Sequence, residues 1–378
     1  MPRMFRLAMR SLRSVLPFQG YLMTSPVFNA EKPIFVCGAS RSGTTLVSDS
    51  ISKQTSHHIV RETHYFDDLR VRLNAMLGSR LGSDEQKMCE DYFLAITHRP
   101  YGHHGDPEQA TIDRSELTDV ASGLGGCPDA YFLAFCRLQM KEHDCRHWGE
   151  KTPRHCLRLN EILEVFPDAR IIYMLRDPRG VVASYRDWKN QGGFDLEADP
   201  DHRGILEKEE ARTRRSYHPV ISTLLWKAAY KSATTARETW GEDRIRIQRY
   251  EDLCTEPETE FKDLFAWIGA EESPDCSRMR GLNSSYDQYK EQGGVRSAPA
   301  TRWREKLSPR EISLVEFVCG KTLRHAGYQP MKLGVSPLAI GCDLASTAPA
   351  LLRAVRANTS RSGNIVKYLG RRAILAFK

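Results

Sequence analysis

The sequence predicts an α/β fold: a central, mainly parallel sheet with helices on both faces in three layers, helical insertions between strands, and a helical C-terminal appendage. Three observations carry this prediction. Ile34-Phe35-Val36-Cys37 is a continuous apolar run, as a strand buried on both faces requires, and it passes through Gly38 and Gly43 into a helix reaching about Gln54. Ala169 to Leu175 repeats the pattern, a strand-like run followed by Pro178, whose fixed φ suits the first turn of a helix. Arg244 to Tyr250 alternates as a strand does, and an amphipathic helix from Pro257 to Ile268 covers it.

Residues 1–30 form a segment of their own. Arg3, Arg6, Arg10 and Arg13 stand among apolar residues at helical spacing over 1–16, which predicts a small basic amphipathic helix. It is too broken by charge for a signal peptide or a membrane span, so it is expected either to dock on the protein's own body or to make peripheral contact with a membrane surface or a partner. The next stretch, 34–46, reads Ile-Phe-Val-Cys-Gly-Ala-Ser-Arg-Ser-Gly-Thr-Thr-Leu. Its Gly38-x4-Gly43 spacing matches the opening of a P-loop, in which backbone N–H groups and a helix N-terminus cradle an anion. Thr44 stands where that motif requires Lys, which argues against a nucleoside triphosphate, while Arg41 sets a fixed cation beside the cradle. The competing reading is a plain strand-to-helix turn.

His57 to Val60 predicts a short second strand that delivers Glu62 and His64, a carboxylate and an imidazole suited to acid/base work above a sheet, or else ordinary surface polar groups. Leu69 to Met140 is unevenly helical, with loop material at His98 to Pro107, a Gly-rich break at 123–126 and an apolar helix from Ala130. His103-His104 has no acidic or thiol partner at metal spacing and reads as surface loop; no metal site is expected. The segment His147 to Pro153 is assigned no element, and a helix follows it through Phe166. Arg176 ends the next strand, and Ser184 lies eight residues later on the following helix, able to face the same anion; a salt bridge to Asp177 or Asp187 is the alternative for Arg176.

Gly192 to Tyr217, dense in charge, reads as a long loop or lid-like insertion, and Pro219 to Trp240 as a long helix. Gly293 to Trp303 is a glycine-led basic loop carrying Arg296, Arg302 and Trp303, suited to close over a bound nucleotide or simply to connect helices. Ser308-Pro309-Arg310-Glu311 has the form of a helix start, with the helix running to His325. The domain is expected over 31–330, with 331–378 a basic helical tail in which Pro337 to Ala357 forms one or two apolar helices.

The 378 residues suffice for a substantial core, and 40% hydrophobic with 27% charged residues is ordinary for a globular protein. A net charge of +7 points to anionic ligands or surfaces, but the absence of an aromatic-basic array argues against nucleic acid. Ten cysteines without a C-x2-C pair or a secretory leader predict free, mostly buried thiols and a cytoplasmic protein, with membrane association limited to the surface.

Taken in order, these residues resemble the sulfotransferases that use 3′-phosphoadenosine 5′-phosphosulfate (PAPS). Gly-Ala-Ser-Arg-Ser-Gly-Thr-Thr-Leu at 38–46 looks like their 5′-phosphosulfate loop, and Leu-Arg-Asp-Pro-Arg-Gly-Val-Val-Ala-Ser-Tyr at 175–185 resembles their 3′-phosphate element. Arg-Glu-Thr-His-Tyr-Phe-Asp at 61–67 and Gly-Glu-Lys-Thr-Pro at 149–153 are similar to segments of the carbohydrate-modifying members. Tyr-Glu-Asp-Leu at 250–253 and Arg302-Trp303 agree in order and spacing, so the likeness spans about 33–328 and leaves both ends uncovered.

The resemblance implies a P-loop-like fold and transfer of a sulfuryl group from PAPS to a hydroxyl of a carbohydrate, glycolipid or natural product, with PAP released and no metal needed. It implies that Arg41, Ser42, Gly43, Thr44 and Thr45 hold the 5′ side of the donor and that Arg176 and Ser184 select its 3′-phosphate. Glu62 would be the general base, with His64 in reserve, and Lys151 would steady the departing oxygen. Arg41 replaces the Lys general in cytosolic aryl-type members, and their Arg-Lys-Gly-x-x-Gly-Asp-Trp pattern is missing, which turns the expectation away from phenols and steroids. The alternatives are a P-loop kinase or NTPase, and a non-catalytic relative that only binds PAP.

Overall fold

The computed structural model describes residues 27–98, 105–190, 203–279, 294–295 and 298–358. Five strands, β1 (Ile34–Gly38), β2 (His57–Arg61), β3 (His147–Lys151), β4 (Arg170–Leu175) and β5 (Ile245–Arg249), form one sheet in the order β2-β3-β1-β4-β5. Every neighbouring pair is parallel. From β1 the chain passes through the Thr44–Gln54 helix towards β2 on one side, whereas from β4 it passes towards β5 on the other. Neighbouring β1 and β4 therefore open a crevice at their C-terminal ends, the place where parallel α/β sheets bind ligands.

The two central strands, β1 and β4, are apolar along nearly their whole length because both of their faces are buried. Along β1, Phe35 and Cys37 join one core while Ile34 and Val36 join the other, and in β4 Ile171 and Tyr173 alternate in the same way with Ile172 and Met174. The smaller core is closed by Leu46, Val47 and Ile51 of the Thr44–Gln54 helix and by Phe261, Leu264, Phe265 and Ile268 of the Pro257–Ile268 helix. The larger core centres on aromatic rings. Phe35 meets Phe66 and Trp148 edge-on, each at 6.0 Å, and Phe132 stacks on Tyr65 at 4.7 Å. A fully buried Phe contributes roughly 1.5–3 kcal/mol, and edge-on pairs add to it, so this cluster anchors the helical insertion to the sheet.

The expected α/β architecture is the observed one, and several helices begin and end as their signals require. Pro219–Trp240 and Pro257–Ile268 have the expected bounds, and Ser308 and Glu311 form the expected capping box. Four expectations are corrected. The unassigned segment 147–151 is strand β3, inserted between β2 and β1. A Cβ on its Gly149 would lie 2.4 Å from Ile59 Cδ1 and 2.5 Å from the Ile34 carbonyl oxygen, so only glycine lets the three strands close up. Within the charged stretch read as a loop, Arg203–Ser216 is a helix, held by ion pairs such as Arg212–Glu209 at 2.9 Å. The helix expected to run to His325 breaks at Gly320, with φ 54°, into Pro309–Cys319 and Lys321–His325. The loop ending at Trp303 contains short helices, Ala298–Thr301 and Trp303–Lys306.

The tail forms two helices, Pro337–Ala345 and Thr347–Ala357. Ile340 packs with Val220 and Leu314, and Arg310 holds Asp343 bidentately at 2.7 Å. All ten cysteines are free and seven are buried. The basic segment 1–16, His103-His104, the stretch 191–202, Arg296 and the basic residues beyond 358 lie outside the described residues.

Candidate functional site

The loop after β1 bends through backbone that only special residues adopt. Gly43, with φ 91°, sits directly before the Thr44–Gln54 helix, and a Cβ there would lie 2.5 Å from Tyr250 Cδ2, so glycine answers both the turn and the close ring. Arg41 takes φ 71°. Ser42 is fully buried, and its Oγ has no hydrogen-bond partner in the protein. A hydroxyl in that condition beside a helix N-terminus suits an incoming anion oxygen. Thr44 is buried and Thr45 half-buried in the first turn of that helix.

Two arginines join this loop to the end of β4. Arg176 donates from Nη1 to the Arg41 carbonyl at 2.7 Å, and its guanidinium lies 4.4 Å from the centroid of Tyr250. Arg41 in turn donates from Nε to Ser184 Oγ at 3.1 Å. Ser184 projects from the Pro178–Asn190 helix, so one set of bonds links three elements. Asp177, expected as a rival partner for Arg176, holds Arg179 at 2.7 Å, and Asp187 meets Arg186 at 3.2 Å. Trp303 is buried with its ring 4.0 Å from the Arg179 guanidinium, and a Cβ on Gly180 would touch both it and Arg176. It belongs to the wall behind Arg176, and half-buried Arg302 directly precedes it as the N-cap of the Trp303–Lys306 helix.

A second group gathers at the ends of β2 and β3. Lys151 is nearly buried and donates from Nζ to Glu62 Oε1 at 2.6 Å, while the Glu62 side chain stays 37% exposed. His64 Nε2 lies 3.7 Å from the other Glu62 oxygen, and its Nδ1 lies 3.3 Å from Asp67 Oδ1. Burial alone would raise the Glu62 pKa, but the Lys151 ammonium and then His64 outweigh it and hold the carboxyl well below the usual carboxylate range. For His64 burial opposes the charge, yet Asp67 and Glu62 prevail and raise its pKa above the ordinary imidazole value. Glu62 is therefore held as an anion, with Lys151 on one side and, on the other, a His64 whose charged form its carboxylate neighbours favour. Lys151 pairs in register with Val36 of β1, which brings this group to the same C-terminal edge as the β1 loop.

Beneath these residues runs a buried network whose roles the sequence did not disclose. Glu150, fully buried, accepts from the Thr63 backbone N–H at 3.0 Å, from Thr63 Oγ1 at 2.9 Å and from Thr152 Oγ1, and its Oε2 meets His155 Nδ1 at 2.9 Å. Thr63 lies between Glu62 and His64, and Thr152 accepts from the His64 backbone N–H at 3.3 Å, so one carboxylate ties both strand ends together. Asp67 is held by Arg154 at 2.9 Å. Of the five non-glycine residues with positive φ among those described, three are Arg41, Glu62 and His64, with the latter two at 44° and 55°. Such backbone costs of order 1–3 kcal/mol each and concentrates at functional sites. The Gly-Glu-Lys-Thr-Pro segment was the available signal for Glu150, yet an acid beside a lysine reads first as a surface pair. No group of three or more potential metal ligands occurs among the described residues.

The family model described as "Sulfotransferase family" matches residues 33–274. Carbohydrate sulfotransferase 1 of Danio rerio is 26% identical over 275 residues, covering 64% of this chain and 61% of that protein. Omega-hydroxy-beta-dihydromenaquinone-9 sulfotransferase Stf3 of Mycobacterium tuberculosis is 28% identical over 146 residues, 37% of this chain and 33% of that one. Less than two thirds of either curated relative is spanned. Among solved structures, the sulfotransferase domain of the Synechococcus PCC 7002 olefin synthase aligns with a TM-score of 0.48 and 14% identity, covering 79% of this chain and 96% of that domain.

Proposed function

This chain belongs to the sulfotransferase family, and from that premise we propose that it transfers the sulfuryl group of PAPS to a hydroxyl of a carbohydrate, glycolipid or natural-product acceptor. One observation carries the reading: Arg176 bonded to the Arg41 carbonyl and Arg41 bonded to Ser184 make a single cationic cradle across the C-terminal ends of β1 and β4. A donor with phosphate at both the 5′ and 3′ positions calls for two such anchor points. Ser42 Oγ, buried and without a protein partner, supports the fit. PAPS supplies an activated sulfuryl group with PAP as the leaving nucleotide.

The chain's own residues do the rest by position and charge. The N–H groups of Ser42 to Thr45 and the Arg41 guanidinium bind the 5′ side, while Arg176 and Ser184 read the 3′-phosphate. Glu62, the more exposed of the two candidate bases, takes the proton of the acceptor hydroxyl. Its low basicity while Lys151 holds it means that Lys151 must turn away for Glu62 to act. A lysine drawn to negative charge on the departing nucleotide would leave Glu62 a stronger base at that moment. His64, whose charged form Asp67 favours, steadies Glu62 rather than replacing it.

The test is calorimetric titration with PAP, AMP and ATP, paired with radiolabelled sulfate transfer from PAPS to a panel of hydroxyl acceptors. PAP is expected to bind at least tenfold more tightly than AMP, and Arg176→Ala to erase that preference, since a hydrogen bond to a charged group is worth roughly 1.5–3 kcal/mol. ATP hydrolysis without PAP binding would replace this reading with that of an NTPase.

A further inference from the structure

The charge of this protein is not spread over it. Of 55 Lys and Arg and 48 Asp and Glu, residues 344–378 hold seven basic and no acidic residues, and residues 1–26 hold four basic and none acidic. The body, 27–343, therefore carries 44 basic against 48 acidic residues and is net negative. All of the chain's positive excess resides at its two ends.

The C-terminal basic stretch begins on an apolar surface. By length and composition Pro337–Ala357 is apolar enough to cross a membrane, yet little of it is buried. Leu338 is 78% exposed, Leu352 60% and Leu351 41%. Leu224, Leu225 and Phe317, also exposed, lie on Pro219–Trp240 and Pro309–Cys319, two of the helices against which the tail helices pack, the Arg203–Ser216 helix being the third. Six of the ten exposed large apolar side chains among the described residues thus belong to one group of packed helices. Arg353 and Arg356 share the Thr347–Ala357 helix with Leu351 and Leu352.

We infer that the Pro337–Ala357 helix pair docks this protein on an anionic lipid surface, with leucines entering the interface and Arg353 and Arg356 meeting the headgroups. The pairing of exposed apolar side chains with cations on one helix is what an interfacial helix needs. A body of opposite charge is repelled by the same surface, which confines contact to this helix pair. Transmembrane insertion fits less well: the segment breaks at Ser346, and its inner face is committed to the body through Ile340, Ala350 and the Arg310–Asp343 pair.

The test is sedimentation of the full chain with phosphatidylcholine vesicles and with vesicles containing phosphatidylglycerol. Binding is expected to the anionic vesicles only and to weaken in high salt. Arg353→Gln with Arg356→Gln should lower partitioning about 25-fold, as each cation near an anionic surface is worth about fivefold. Leu338→Ser, Leu351→Ser and Leu352→Ser together should lower it by a similar factor while leaving the melting temperature of the exposed-site variant unchanged. Equal sedimentation with neutral vesicles, indifference to the leucine substitutions, or resistance of the bound protein to alkaline carbonate would each overturn the inference. Tight binding of duplex DNA that ignores the leucine substitutions would reassign the basic segment to nucleic acid. None of these readouts requires sulfuryl transfer.

Discussion

The β2–β3 strand pair carries histidines at both ends, and the two ends treat them in opposite ways. At the N-terminal end His57 and His147 lie with ring centroids 4.8 Å apart, and His58 stacks on His143 at 4.0 Å. Burial first, and then the neighbouring imidazole, draws both His57 and His58 down to about 4, so both are neutral at neutral pH. At the C-terminal end His64 stands between Asp67 and Glu62 and is driven the other way. The ring is the same, and burial opposes its charge in each place; the carboxylates decide. One end of the sheet discards charge, and the other, the proposed seat of the chemistry, concentrates it.

Experiments that disturb one end and spare the other test this division. Glu62→Gln should cut turnover by about 10²–10⁴ while PAP affinity holds, the span ordinary for loss of a general base; near-normal turnover would remove Glu62 from the chemistry. Glu150→Ala, which strands buried His155 and releases Thr63 and Thr152, should cost about 3–5 kcal/mol in urea unfolding and lower turnover as well. At the other end, stability should fall on acidification. His57 has a folded pKa below its unfolded one, so its contribution is present above about pH 6.5 and lost as pH falls towards 4, roughly 3 kcal/mol at most. His57→Asn should flatten that slope without touching turnover. The smallest effect is a displacement between two pH profiles. In the free enzyme Lys151 keeps Glu62 ionised well into acid, so kcat/KM should hold its plateau there, whereas the acid limb of kcat should lie at higher pH once Lys151 has turned to the donor. Coincident acid limbs would mean that Lys151 never leaves Glu62.

Local signals carried much of this fold. Proline at a first turn and the Ser308 capping box fixed helix starts because their physics involves only neighbouring residues. β3 was illegible for the opposite reason. Its residues His147, Trp148, Gly149, Glu150 and Lys151 show no apolar alternation, since Gly149 answers to the strands beside it and Glu150 and Lys151 to the site above it. The Arg203–Ser216 helix buries only Leu206 and Glu209, too little to leave a stripe in the sequence. Within the site, Arg41 was legible as a cation beside one anion cradle and Arg176 with Ser184 as a pair facing another, but the bonds joining them depend on loop geometry that no spacing reveals. Tyr250 was visible only as part of a short acidic motif, although its ring fills the space that Gly43 leaves.

The bond from Arg176 to the Arg41 carbonyl, together with that from Arg41 to Ser184, makes the two halves of the cradle a calliper with fixed jaws. A ligand bearing two anions at the matching separation finds its second jaw at high effective concentration once the first has closed, whereas a single phosphate gains only one contact. On the proposed function, selection is then made by length as well as by charge, and a stiff bis-anionic spacer of the right span should compete with PAP even if it carries no base or sugar.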